Sequence, residues 1–176
     1  MVIDKVIRIM VEYFGRDRHL IAHSLKVYAC TRTIAISENI DIGSRKVLCI
    51  AAVLHDIGIP ESIRVYGSAD GEYHEILGAQ ICDELLTMLG FSKSFIDHVK
   101  YLVSNHHSYR DGQDPLLQIL LEATTIIMFE EGDYSDDNVR GAIARHFRTR
   151  TGRELLNSMY GLLPVSSESL PECVGK

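Results

Sequence analysis

The chain lacks several features by which common protein classes are identified. Among its 176 residues there is no tryptophan, and no apolar run is long enough to cross a membrane. Lysine and arginine together number 18 against 24 acidic residues, so the net charge is -6 and no broad basic face for a nucleic-acid backbone is indicated. We therefore expect neither a membrane nor a nucleic-acid polymer as a partner. An acidic protein can still bind small phosphorylated molecules if metal ions supply the positive charge.

Cysteine usage and short motifs exclude further classes. The four cysteines lie far apart without a C-x-x-C pair, which excludes a zinc finger or a thioredoxin-like site and favours free thiols in a reducing compartment. The G-x-S-x-G, G-x-x-x-x-G-K-[ST] and G-x-G-x-x-G motifs are all missing. Asp4, Lys5 and Arg8 make the N-terminus an amphipathic helix and not a signal peptide. These observations predict a cytoplasmic protein.

What the sequence does contain is helical periodicity from one end to the other. Apolar residues recur at helical spacing, between capping residues at the start and glycines at the end, and no strand alternation is present. The segment 63–71 is interpreted as a loop, and Gly58 and Pro60 as the end of the third helix. The pattern predicts an all-α, single-domain helical bundle over residues 1–163, with a loose tail at 164–176. The predicted helices cover 1–14, 18–39, 44–54, 73–89, 92–107, 116–131, 135–148 and 151–159.

The informative feature is that polar residues fall on helix faces expected to be buried. A single histidine on such a face is usually satisfied by a backbone carbonyl. Here five helices each direct an imidazole or a carboxylate inward, and buried ionisable groups are costly unless they are paired or bind a metal. A shared site for Fe, Mn, Zn, Co or Ni accounts for all of them at once. The predicted metal ligands are His23, His55, Asp56, His74, His106 and Glu122.

The number of these residues exceeds what one tetrahedral ion needs, so two ions are predicted, with Fe or Mn as the first expectation. Asp56, which follows His55 at the end of a helix, is the natural bridging carboxylate. His107 is an alternative ligand, or it contacts another ligand or the substrate, and the sequence leaves these roles open.

The stretch Ala51-Ala52-Val53-Leu54-His55-Asp56-Ile57-Gly58 resembles the signature of the HD-domain metal-dependent phosphohydrolase superfamily. The resemblance extends over residues 21–128. It implies that His23, His55 and Asp56 bind metal, with Glu122 at the place where the family usually has its last ligand, an aspartate.

The later histidines resemble a particular branch of that superfamily. His74, in the sequence His74-Glu75-x-x-Gly78-Ala79, and the His106-His107 pair look like the extra histidines of dinuclear members, which include the HD-GYP cyclic dinucleotide phosphodiesterases. However, Asp111-Gly112 continues as Gln113-Asp114-Pro115 and not as the GYP tripeptide. Ile59 also replaces the lysine that commonly follows the signature. Both departures argue against cyclic di-GMP as the substrate.

The working hypothesis is metal-assisted hydrolysis of a phosphate ester, with a small phosphorylated metabolite or nucleotide as the substrate. Asp56 and His107 are the predicted catalytic residues, and Arg64, Lys100 and Arg110 are the cations expected to neutralise the substrate. A mixed-valent di-iron oxygenase and a non-catalytic signalling module remain alternatives. The oligomeric state also stays open, a homodimer included.

Overall fold

The computed structural model describes residues 2–108 and 114–162. Within these ranges the chain forms nine helices and no strand, which confirms the predicted all-α class. None of these helices is both long and apolar enough to cross a bilayer. The predicted tail at 164–176 lies outside the described residues. The helices are α1 (Val2–Phe14), α2 (Arg18–Ser37), α3 (Ile42–Leu54), α4 (Ile59–Tyr66), α5 (Gly71–Met88), α6 (Lys93–Val103), α7 (Pro115–Glu131), α8 (Asp136–His146) and α9 (Arg150–Met159).

Most helices begin at a side chain that caps their first turn. In each case a carboxylate or hydroxyl oxygen accepts a hydrogen bond from a backbone N–H that has no partner inside the helix. These interactions fix where each helix starts, and several of the predicted starts lie within two residues of them. The capping residues are Asp17, Asp41, Ser92, Asp114, Ser135 and Thr149.

Helix α3 is the central element of the fold. Every residue from 47 to 54 is buried, because α3 packs against α1, α2, α6 and α7. A helix that is apolar on all sides belongs inside a protein. Its C-terminal end therefore delivers His55 and Asp56 into the interior, where they are 1% and 8% exposed.

The predicted loop at 63–71 is wrong for its first half, because α4 extends to Tyr66. Pro60 lies in the first turn of α4, where its missing N–H costs no hydrogen bond, so this proline begins a helix and does not end the preceding one. Gly58 is needed just before it, because a Cβ there would clash with the backbone of His74 and Gly78. The turn after Asp56 thus packs directly on the first turns of α5.

Candidate metal centre

Four helices bring six of the sequence-predicted residues into one cluster. His23 lies on α2, His55 and Asp56 end α3, and His74 lies in the first turn of α5. The remaining two, His106 and His107, follow the last residue of α6. Their ligand atoms form two overlapping groups, each compact enough to hold a metal ion, and Asp56 belongs to both. One group contains His23, His55 and Asp56, and the other contains Asp56, His74, His106 and His107.

The Asp56 carboxylate lies between these two groups and faces each with a different oxygen. Its Oδ2 is 3.6 Å from Nε2 of His23 and 3.2 Å from Nε2 of His55. Its Oδ1 is 3.5 Å from Nε2 of His74 and 3.4 Å from Nε2 of His106. A carboxylate with one oxygen toward each group has the geometry of a bridging ligand.

Backbone carbonyls orient three of the imidazoles. Nδ1 of His55 lies 2.9 Å from the carbonyl oxygen of Ala52, and Nδ1 of His106 lies 2.6 Å from that of Val103. The Nδ1 of His74 lies 3.0 Å from the carbonyl oxygen of Ala69. Since only an N–H can donate to a carbonyl, each Nδ1 carries a proton, and each ring turns its Nε2 toward the cluster, where that atom could bind a metal. This is the arrangement that metal-binding histidines adopt.

The cluster concentrates nitrogen atoms that need a cation. Nε2 of His74 lies 3.4 Å from Nε2 of His106 and 3.0 Å from Nε2 of His107. Burial, followed by the adjacent His106 and His74, lowers the pKa of His107 to about 3, so protonation does not relieve the crowding at neutral pH. Burial also lowers the pKa of His74. A divalent transition metal, which suits imidazole and carboxylate donors, fits this set of atoms.

Asp56 is charged in this environment. Burial by itself would raise its pKa, but the neighbouring His55 and His106 outweigh burial and hold the pKa well below the usual range of an aspartate. The residue therefore supplies a full negative charge between the two groups of imidazoles, where a bound cation would interact with it favourably.

Glu131 orients His23 and was missed in the sequence. Its Oε2 lies 2.7 Å from Nδ1 of His23, and its Oε1 accepts a hydrogen bond of 3.2 Å from Nζ of Lys26. Burial acts to raise the pKa of Glu131, but the hydrogen bonds from His23 and Lys26 lower it overall. The contact joins residues 108 positions apart in the sequence, so no local spacing pattern predicts it. A carboxylate that contacts Nδ1 of a histidine fixes the tautomer of the ring and raises the basicity of Nε2, the nitrogen that would face the metal.

The structure does not bring Glu122 to the cluster, which corrects its prediction as a metal ligand. Glu122 is fully buried on α7, but its carboxylate faces the start of α9. Oε1 accepts hydrogen bonds from the backbone N–H groups of Arg148 (2.6 Å) and Thr149 (2.9 Å). Gln118 donates to the same oxygen at 2.7 Å, and the Thr149 hydroxyl donates to Oε2. These bonds satisfy the carboxylate, which has a structural role here.

The cluster forms one wall of a cavity of about 690 Å³. The wall beside it comes from α7, with Leu121, Thr124, Thr125, Met128 and Phe129. Sequence reasoning missed the wall that α8 and the residues before it provide, because the fold alone brings this segment to the cluster. That wall consists of Tyr134, Asn138, Ala142, Arg145 and His146.

The cations predicted to contact the substrate lie elsewhere. Arg64 is exposed and pairs with Glu61 on the same helix, while Lys100 donates a hydrogen bond of 3.0 Å to Asp83. Neither lines the cavity, so both predictions are corrected. Arg110 lies outside the described residues. Among the described residues that line the cavity, Arg145 is the one arginine or lysine.

Comparison with known proteins agrees with the cluster and the helical fold. The model of the HD domain family matches residues 20–160, which include all six residues of the cluster. The chain belongs to the HD domain family. HD domains bind divalent metal ions, and the histidines and Asp56 described above could hold them. The resemblance found in the sequence is thereby confirmed.

A solved structure shares the fold of this HD domain. It is the crystal structure of a predicted HD superfamily hydrolase from an uncultured Thermotogales bacterium, with a TM-score of 0.68. The two sequences are 24% identical, and the alignment covers 90% of this chain and 85% of that chain. No curated protein shows significant similarity to this chain.

Proposed function

We propose that this HD domain is a metal-dependent phosphohydrolase that cleaves a phosphate ester of a nucleotide or another small phosphorylated metabolite. The observation that carries the proposal is the position of Asp56, with one oxygen facing each of two groups of imidazole nitrogens. This matches a dinuclear centre, and divalent ions in such a centre supply an activated water nucleophile and positive charge for the phosphoryl oxygens.

The charge balance of the cavity favours an anionic substrate. Asp56 is the one carboxylate in the described lining, and the cluster histidines are neutral when they bind metal. Two divalent ions would therefore leave a net positive charge of about three at the bottom of the cavity. A phosphate ester, with its several anionic oxygens, would neutralise that charge.

The cavity also offers protein groups for the rest of a substrate. Arg145 stands on the α8 wall and would contact a phosphate oxygen that extends beyond the cluster. Tyr134, Met128 and Phe129 give an apolar surface against which an organic group, such as a nucleoside, would pack. The volume of about 690 Å³ lies within the range of small-molecule sites, so a mononucleotide or a comparable phosphomonoester would be enclosed.

Two residues of the cluster have proposed catalytic roles besides metal binding. Asp56 would orient the attacking water, because its oxygens lie between the two ligand groups. His107 is the most exposed of the cluster histidines and stands at its outer edge, with its backbone N–H bonded to Glu75 at 2.9 Å. From that position it would contact the substrate or the leaving group as well as the metal.

The test is release of inorganic phosphate from a panel of nucleoside monophosphates, dinucleotides and sugar phosphates. The protein is first stripped with chelator and then reloaded with Mn²⁺ or Fe²⁺. We expect hydrolysis of at least one class of phosphate ester, its loss with chelator and its recovery with metal. In parallel, oxygen consumption with organic diols and phosphonates tests the oxygenase alternative. Metal-dependent oxygen uptake without phosphate release would overturn the proposal, and inactivity in both assays would favour a signalling module.

A further inference from the structure

The two ligand groups of the cluster are unequal. The group on Oδ2 of Asp56 has two imidazoles, from His23 and His55. The group on Oδ1 has three, from His74, His106 and His107. Asp56 is shared, so the difference between the two groups is one imidazole. Metal affinity rises with the number and charge of the protein ligands, provided that they are already oriented.

Helix α7 lies beside the smaller group but does not supply the missing ligand. Helix α7 contributes Leu121, Thr124, Thr125 and Met128 to this wall, and none of them is a carboxylate or an imidazole. The Thr124 hydroxyl donates to the carbonyl of Leu121 at 3.0 Å. The three acidic side chains of α7 have other partners. Glu122 accepts hydrogen bonds from the start of α9, Glu130 from Lys26, and Glu131 contacts Nδ1 of His23.

We infer that the two metal positions differ in affinity and that a phosphate anion completes the weaker one. The first ion binds with Asp56, His74, His106 and His107. The second binds with His23, His55 and Asp56, the three protein ligands that the described residues offer there, and the side toward α7 is left for an exogenous oxygen ligand. Phosphate, the product expected of the proposed reaction, is an anion that could fill this position.

A thermodynamic consequence is that phosphate and the weaker ion strengthen each other's binding. Coupling between two ligands is reciprocal. By whatever factor the anion raises the affinity of the protein for the second ion, that ion raises the affinity of the protein for the anion by the same factor. The tighter ion, with its four protein ligands, should respond much less. The inference depends on the metal centre of the proposed function but not on hydrolysis, and metal binding measured without turnover tests it separately.

The experiment is a titration of the full metal-free chain with Mn²⁺, followed by calorimetry and by the electron paramagnetic resonance of unbound Mn²⁺. We expect two binding phases whose affinities differ about tenfold or more, since loss of a supporting ligand already weakens metal sites by that factor. In His23→Ala the weaker phase should disappear and the tighter phase should remain. In His107→Ala the tighter phase should weaken. Circular dichroism of the metal-free variants shows whether each retains the helical fold.

The same titration with inorganic phosphate tests the coupling. Phosphate should tighten the weaker phase and should have little effect in His23→Ala, which also controls for Mn²⁺ held by phosphate in solution. Thr124→Asp and Thr125→Asp add a carboxylate to the α7 wall, and at least one should tighten the weaker phase and reduce the effect of phosphate. Two ions of equal affinity, loss of the tighter phase in His23→Ala, or no change from phosphate would each overturn the inference. If neither threonine variant tightens the weaker phase, the open coordination position does not lie on the α7 side.

Discussion

Two carboxylates are buried in the part of the chain that the structure describes, and their surroundings differ. Glu122 is fully buried between α7 and α9, where it accepts hydrogen bonds from two backbone N–H groups, an amide and a hydroxyl. Asp56, 8% exposed, faces four imidazole nitrogens at 3.2–3.6 Å. In three of those rings the other nitrogen already uses its proton on a backbone carbonyl. The first carboxylate is satisfied by hydrogen bonds within the protein, and the second lies where a cation could bind.

The comparison gives a physical criterion for separating structural acids from metal ligands. Burial alone does not distinguish them, because both residues have lost nearly all their contact with water. The difference lies in the partners: a carboxylate surrounded by backbone N–H, amide and hydroxyl groups is satisfied within the protein, whereas one surrounded by imidazoles shares its site with side chains that also bind metal ions. The predictions that follow test this distinction, from the largest expected effect to the smallest.

The largest effect is expected for Asp56→Asn, which keeps the shape of the side chain and removes its charge. Loss of the shared ligand should weaken metal binding about 100-fold or more at both positions, because even indirect partners of metal ligands contribute 10- to 100-fold. Metal content measured by mass spectrometry tests this expectation. Metal content equal to that of the parent would contradict a bridging role.

Glu122→Gln should lower the stability of the fold without changing metal binding. The amide nitrogen would face groups that are themselves donors, so we expect the free energy of unfolding to fall by about 2–3 kcal/mol. The metal bound per folded molecule should not change. Glu130→Gln on the same helix is the matched control, because Glu130 is 41% exposed in its side chain and pairs only with Lys26 among the described residues. A loss of metal from Glu122→Gln without loss of stability would return Glu122 to the ligand set.

The sequence predicted the cluster better than it predicted its surroundings, and Glu122 shows why. Helical periodicity places a residue on a buried face, so His23, His74 and His106 could be found from spacing, and His55 and Asp56 from the apolar run before them, whereas the role of His107 stayed open. Periodicity does not say which neighbour a buried side chain meets. Glu122 therefore looked like a ligand, although the neighbour it meets is the first turn of α9.

The same reasoning explains the missed elements. The α8 wall of the cavity and the Glu131–His23 contact arise from packing between segments far apart in the chain, which no local pattern encodes. Helix α4 was missed for a different reason. A proline after a glycine was interpreted as the end of α3, whereas proline is also favoured in the first turn of a helix.

Glu131→Gln tests a third acid, one that would affect a bound metal only by orienting the ligand His23. The amide can still accept a hydrogen bond from Nδ1 of His23, but it no longer raises the basicity of the ring. We expect about tenfold weaker binding of the second ion, with the tighter ion unchanged. The Mn²⁺ titration measures both phases, and Glu130→Gln is again the control, since Glu130 bonds Lys26 and not His23. An equal effect of the two substitutions would indicate loss of surface charge and not of His23 orientation.

The smallest effect is expected at Glu38, a partly exposed acid whose Oε1 accepts a hydrogen bond of 2.8 Å from the backbone N–H of Thr151 at the start of α9. The side chain and the backbone of Thr151 lower the pKa of Glu38 below its usual value. Because the pKa is lower in the folded state, its stabilisation is present above the ordinary glutamate range and is lost as the pH falls through the folded-state pKa. Glu38→Gln should therefore cost about 0.5 kcal/mol at pH 7.

Urea unfolding of Glu38→Gln and the parent at neutral and at acidic pH measures this difference, which should shrink toward zero as Glu38 becomes protonated. A difference that stays constant with pH would mean that charge is not the cause. Glu38 and Glu122 both accept hydrogen bonds from the start of α9, and the larger effect expected at Glu122 reflects both its burial and its greater number of donors. Solvent weakens the contribution of Glu38, whereas Glu122 has no water to replace a lost donor. Asp56 is nearly as inaccessible as Glu122 but lies among imidazoles and not among backbone donors, an arrangement that could hold a metal ion.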